Sequence, residues 1–195
     1  MLILTRHGQT EFGAAGRCCG SLDAPLSEQG CGEADALALR LQDVKLHKIF
    51  CSTLSRAVLT AARIAELNPC PVEYIEALGE RRFGIYEGQP QQQFQQALRQ
   101  SGAAAEDFRP EGGESYEDLR LRLEPVLERI KAELEHGTVL VVAHGNVNRM
   151  LLTMLLGGSP ADYPQDNCGV YVLERFAEGR YAAQCMNDVS HLGAG

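Results

Sequence analysis

Two histidines stand directly behind short apolar runs. Leu2-Ile3-Leu4 leads into Thr5-Arg6-His7-Gly8, and Val139-Leu140-Val141-Val142-Ala143 leads into His144-Gly145. Apolar runs of this length read as strands of a parallel sheet, buried on both faces. Two imidazoles at the carboxyl ends of such strands would share the rim where α/β sheets bind ligands. The glycine after each histidine lets backbone approach a ligand closely. His144-Gly145 also opens an expected helix, whose free N–H groups and positive dipole end favour an anion. Arg6 adds a planar charged fork matched to phosphoryl oxygens. Arg56, on the first turn of the helix that follows Ser52, is the third candidate cation. His47, His136 and His191 lack this setting and read as structural or exposed; His136, at a helix C-terminus, is explained by the dipole there.

The elements that must position these groups alternate. A strand at 1–6 is followed by a Gly-rich loop from Gly13 to Gly20. A helix then starts near Glu28, with Ser27 as N-cap and Ala34, Leu37, Leu41 and Val44 at helical spacing. Next come a strand at 47–51, a helix at 54–67, and a strand at 72–76. Pro90–Gln100 reads as a glutamine-rich helix that packs weakly, and Ser101–Gly113 as a mobile connection. Ser115 and Asp118 form a capping box for a long helix carrying Leu119, Leu123, Val126, Leu127, Ile130 and Leu134, which Pro125 is expected to kink. A strand at 138–143, a helix at 146–156 and strands at 169–174 and 180–187 complete the order. Such alternation predicts an α/β three-layer sandwich, a mainly parallel central sheet covered by helices on both faces.

Composition bounds the function. The 195 residues suffice for a single domain spanning 1–195, with 89–113 as a specificity or lid segment. A net charge of −8 argues against nucleic-acid partners, which need a cationic face. No apolar stretch approaches the roughly 18–20 residues that span a bilayer. Met1 leads straight into a strand with no basic region or cleavage site, so the expected compartment is the cytoplasm. The seven cysteines form no CxxC pair, so they are expected to be reduced thiols rather than metal ligands. Oligomeric state is not legible.

The chain resembles the histidine phosphatase superfamily, in the phosphoglycerate mutase-like branch that includes α-ribazole, fructose-2,6-bisphosphate and broad-specificity phosphatases. The resemblance is carried by Leu4-Thr-Arg-His-Gly-Gln-Thr10, Gly16-Arg17, Asp23-Ala-Pro-Leu26 and Ser52-x-Leu-x-Arg-Ala-x-x-Thr-Ala61. It continues through Leu78-Gly-Glu80, Tyr86-Glu-Gly88, Gly112-Gly-Glu-Ser115, Ala143-His-Gly145 and Val189-Ser-His-Leu192. It implies a phosphomonoester hydrolase acting on a small phosphorylated metabolite with no metal or cofactor. His7 would form a phosphohistidine, Arg6, Arg56, His144 and Gly145 would hold the phosphoryl group, and Glu80 would serve as acid and then base. By composition alone Glu80 reads as a partner of Arg81 and Arg82. Two positions depart from the pattern: Gly13 and Cys19 stand where relatives often carry an asparagine and a glutamine. A phosphoglycerate mutase, or a catalytically weak phosphate-binding regulatory module, remains the alternative. Arg81, Arg82 and Arg109 read as surface residues in preference to ligands of a second anion.

Overall fold

The structure, a computed structural model, describes residues 1–176 and 179–193. Six strands form one sheet in the order β3-β2-β4-β1-β5-β6. They are β1 (Leu2–Arg6), β2 (Leu46–Ser52), β3 (Val72–Ile75), β4 (Thr138–Ala143), β5 (Val170–Arg175) and β6 (Tyr181–Asp188). The first four run parallel, β5 lies antiparallel to β1, and β6 antiparallel to β5. The helices are α1 (Glu11–Ala14), α2 (Glu28–Leu41), α3 (Ser55–Leu67), α4 (Gln91–Ser101), α5 (Tyr116–Glu133) and α6 (Gly145–Leu156).

Side chains alternate across each strand and so build two cores. Ile3, Ile49, Cys51, Leu140 and Val142 pack with α2 and α3 residues such as Leu37, Ala57 and Ile64. Leu2, Leu4, Phe50, Val139 and Val141 pack on the other face with Leu123 and Ile130 of α5 and Leu151 of α6. Burial of each of these leucines or isoleucines contributes roughly 1.5–3 kcal/mol. α2, which follows β1 and α1, thus covers one face and α6, which follows β4, the other, although β1 and β4 are neighbours. That reversal opens a crevice at their carboxyl ends. Arg6 pairs in register with Ala143, which brings the two following histidines to one level of the sheet.

Several local expectations are revised. The segment after His7 is not all loop: Thr10 caps α1 by accepting from Gly13 N at 3.0 Å. α5 runs unbroken through Pro125, an exposed residue whose missing hydrogen bond falls on the solvent side. α4 buries none of its residues fully, yet Phe94 anchors it, with ring centroids 4.8 Å from Phe83, 5.8 Å from Tyr86 and 5.7 Å from Phe108. The connection after α4 is tied down as well. Arg81 donates to Phe108 O at 2.6 Å, and Ile85 N donates to Glu111 O at 3.0 Å.

Gly8 has a structural reason the sequence did not suggest. A Cβ at Gly8 would stand 2.3 Å from Gly30 O, and one at Gly30 would stand 1.9 Å from Gln9 O. The first turn of α2 therefore rests directly on the backbone that carries His7. Gly32, one residue beyond Cys31 on the same helix, has nothing within 4 Å of such a Cβ. Urea unfolding of the two variants is expected to diverge in sign. Gly32→Ala should stabilise by about 0.5–1 kcal/mol through helix propensity, and Gly30→Ala should destabilise by a larger amount and lower turnover.

Candidate active site

The carboxyl ends of β1, β2 and β4 converge on a buried cluster. The His7 and His144 rings lie with centroids 5.0 Å apart at 61°. Between them sits Arg56, which is fully buried. Its Nε–H faces both rings, 3.2 Å from His7 Nε2 and 3.3 Å from His144 Nδ1. Its terminal nitrogens donate to Leu22 O and Gly20 O, each at 2.7 Å. The guanidinium is fixed by the loop ahead of α2, and only Nε–H points at the imidazoles.

These contacts assign the tautomers. His7 Nδ1–H donates to Gly8 O at 2.7 Å, leaving the Nε2 lone pair toward the cleft. His144 Nδ1 accepts from Arg56, so Nε2–H donates to Ser52 Oγ at 2.8 Å. Burial, then Arg6 and Arg56, push the His7 imidazole well below its ordinary range. Burial, then His7 and Arg56, do the same to His144. Both rings are neutral at physiological pH. His144 is thus a neutral imidazole held by Ser52.

Arg6 donates through one terminal nitrogen to Gln165 O at 2.7 Å, and its Nε has no protein partner. Glu80 accepts from Arg81 N at 2.8 Å and Asn146 N at 3.3 Å. The second bond ties its carboxylate to the N-terminus of α6, a different partnership from the Arg81 and Arg82 side chains that composition suggested. A Cβ at Gly145 would stand 3.8 Å from Glu80 Oε2 and 3.9 Å from Arg6 Cδ, so glycine leaves the space between these two groups open. Arg6, His7, Arg56, Glu80 and Gly145 all line one cleft of roughly 490 Å³, and His144 lies beneath it.

Other residues had no assigned role in the sequence. Thr60 Oγ1 accepts from Gly8 N at 3.2 Å and donates to Arg56 O at 2.8 Å. Asn167 donates to His7 O at 2.9 Å. Tyr116 donates to Asn146 Oδ1 at 2.6 Å, and Arg149 donates to Tyr163 O at 3.1 Å while lining the cleft. Asn146 and Arg149 follow His144-Gly145 on α6, where an anion-facing helix N-terminus was already expected. Gln165 and Asn167, in an irregular loop, carried no such signal. Arg81 is buried against the cleft, not on the surface, with its guanidinium 4.5 Å from the Tyr116 ring centroid. Arg82 and Arg109 are exposed and pair with Glu114 and Asp118. Gly13 and Cys19 line the cleft too. The Cys19 thiol donates to Leu22 O at 3.3 Å, and burial pushes its ionisation upward, so it is not an activated thiol.

Comparisons with known proteins agree with this geometry. The chain is 32% identical over 201 residues to a metal-independent phosphoserine phosphatase of Arabidopsis thaliana, covering 99% of this chain and 83% of that one. It is 34% identical over 199 residues to a 2,3-bisphosphoglycerate-dependent phosphoglycerate mutase of Gloeobacter violaceus, covering 95% and 90%. Its fold matches that of a mycobacterial glucosyl-3-phosphoglycerate phosphatase solved with VO3, at a TM-score of 0.84, 28% identity, and coverage of 95% and 98%. The family model of the histidine phosphatase superfamily, branch 1, matches residues 2–189. The chain belongs to the histidine phosphatase superfamily.

Proposed function

We propose that the protein is a metal-independent phosphomonoester hydrolase, working on a small phosphorylated metabolite through a phosphohistidine at His7. The observation that carries this reading is the neutral His7 ring. Its Nδ1–H is held by Gly8 O, and its Nε2 lone pair is directed at Arg56. A substrate phosphoryl group entering the cleft takes over the Arg56 Nε–H and finds Arg6 beside it. These fixed donors stabilise charge on the equatorial oxygens as the P–O bond loosens.

The chemistry balances in two displacements. His7 Nε2 forms a bond to phosphorus, the P–O bond to the leaving group breaks, and protonated Glu80 gives its proton to the departing alkoxide. Glu80, now a carboxylate, takes a proton from water as the water oxygen attacks phosphorus. The P–Nε2 bond breaks, phosphate leaves, and His7 returns to its neutral form. Splitting the reaction lowers each barrier. The roof of the cleft is partly polar. It includes Gln91 and Gln95 of α4, a helix with no fully buried residue, and this supports hydrolysis over a mutase reaction.

The test is hydrolysis of p-nitrophenyl phosphate in excess chelator. Activity is expected to persist there and to fall at least a thousandfold in His7→Ala; loss on chelation, or survival in the variant, contradicts the reading. Glu80→Gln is expected to slow alkyl phosphates at least a hundredfold and activated aryl phosphates less than tenfold, since only poor leaving groups need the proton. Equal losses would remove Glu80 from the acid role.

Neutral imidazoles also set a pH dependence of stability. His7 and His144 ionise lower in the folded protein than the value of 6.5 that applies to the unfolded chain. Below that pH the unfolded state binds protons that the native state refuses, up to about two per molecule from these rings, so stability falls as pH falls. Urea midpoints are expected to drop between pH 7.5 and 5.5, with a shallower drop in the His7→Gln/His144→Gln double variant. An equal slope in both proteins would show the rings not to be the cause.

A further inference from the structure

Two consecutive peptide units carry the nucleophile, and side chains grip both. The His7–Gly8 unit is fixed at its oxygen by Asn167, which donates to His7 O at 2.9 Å, and at its N–H by Thr60, which accepts from Gly8 N at 3.2 Å. The Gly8–Gln9 unit accepts the His7 Nδ1–H on its oxygen at 2.7 Å. Its N–H, on Gln9, donates to Glu33 Oε2 at 2.7 Å. A carboxylate, a peptide and the proposed nucleophile thus form one line of hydrogen bonds. Glu33 stands on α2 about one turn beyond Gly30, the glycine whose backbone presses against Gly8 and Gln9.

The carboxylate is held for this contact. It is half-buried, and its other oxygen accepts from Gln29 Nε2 at 2.8 Å. Among the described residues no lysine, arginine or histidine forms an ion pair with it. Glu33 does not line the cleft; it lines a separate hollow with Gln9, Asp166 and Asn167. It reaches the reacting atoms only through the peptide. In the first displacement Nε2 commits its lone pair to phosphorus while Nδ1 keeps its proton, so the ring becomes a cation; in the second the pair returns to Nε2 and the charge is gone. Burial, Arg6 and Arg56 disfavour that cation, and the Gly8 carbonyl is the contact that favours it. A carboxylate on the far edge of the peptide makes this carbonyl a better acceptor, because successive hydrogen bonds polarise one another and those to an ionised acceptor are the stronger ones.

Building on the phosphatase reading, we propose that Glu33 is a positioning residue for His7: through the Gly8–Gln9 peptide its carboxylate holds the Nδ1–H tautomer and stabilises the positive charge that the ring acquires on phosphorylation. The intervening peptide has its own use. A carboxylate directly on the imidazole would favour a protonated ring in the free protein and take away the Nε2 lone pair. Placed one peptide away, it supports the charged intermediate and leaves the resting nucleophile neutral.

The test compares Glu33→Gln, which keeps an acceptor and removes the charge, with Glu28→Gln, which removes an exposed charge from the same helix. The readouts are rapid-quench kinetics with p-nitrophenyl phosphate and NMR of protein carrying 15N-labelled histidine. Glu33→Gln is expected to form the His7 phosphoenzyme about three- to tenfold more slowly, while inorganic phosphate inhibits it within about twofold of the parent value. Its His7 Nδ1–H resonance should move upfield, as a weakened hydrogen bond requires, and Glu28→Gln should match the parent in both readouts. An unchanged rate, a slowed rate with an unmoved resonance, or a loss of phosphate binding as large as the loss of rate overturns the proposal. Should Glu33→Gln not fold, the parent decides. The other charged or titratable groups around His7 are Arg6, Arg56, His144 and Glu80, with Asp166 near Arg6. With 13C-labelled glutamate the Glu33 carboxyl is followed by itself, and an Nδ1–H resonance that stays fixed through its titration overturns the proposal too. A phosphoenzyme that forms at parent rates in Glu33→Gln removes the role of Glu33 and leaves the phosphatase reading standing, whereas no phosphohistidine at His7 in the parent sinks both.

Discussion

A fully buried guanidinium without a carboxylate partner governs the architecture of the site. Arg56 is satisfied by two backbone carbonyls and two imidazole lone pairs, all dipoles and none of them ions. Removing a charge from water without a counter-charge is expensive. The same burial keeps both histidines neutral, and the neighbouring cations add to it, since a proton on either ring would set cation against cation. The missing counter-charge is the one a phosphoryl group would bring. Electrostatic strain in the free protein and affinity for a dianion thus follow from one arrangement.

The fold holds this arrangement by backbone, not by flexible side chains. Parallel pairing of β1 with β4 sets both histidines at one height, and β2 brings Ser52 beneath His144. The close approach of Gly8 to Gly30 locks the His7 turn onto α2. Thr60 then links that turn to Arg56 across two elements. A cluster so constrained needs little reorganisation when charge develops, which is the condition under which fixed dipoles are most effective.

Much of this was legible from residue order. Strict apolar runs ahead of His7 and His144 marked buried strands and gave the sheet its parallel core. Ser27 and the Ser115–Asp118 box marked two helix starts that the structure retains. The meeting of Arg6, His7, Arg56, Glu80, His144 and Gly145 in one place was also foreseen, because strand ends and a helix N-terminus have few ways to converge. What escaped prediction depends on distant contacts. Segment 101–113 reads as loose by composition, yet Arg81 and the aromatic group around Phe94 fasten it, and neither partner is near in sequence. The neutral state of His144 was not legible either, since local sequence does not reveal that its neighbours are an arginine and another imidazole. Arg81 read as a surface charge because nothing in Glu80-Arg81-Arg82 tells which of two adjacent arginines turns inward.

The claim that His7 Nε2 is the nucleophile is tested most directly by catching the enzyme between its two displacements. Rapid mixing with a phosphomonoester, an alkaline quench and peptide mapping, with the phosphorylated nitrogen assigned by NMR, would locate the phosphoryl group. The account predicts a single acid-labile adduct on residue 7, attached through Nε2 and formed fast enough to support turnover. Phosphate on Nδ1, on His144 or on any other residue, or steady hydrolysis with no adduct at any time, would contradict it.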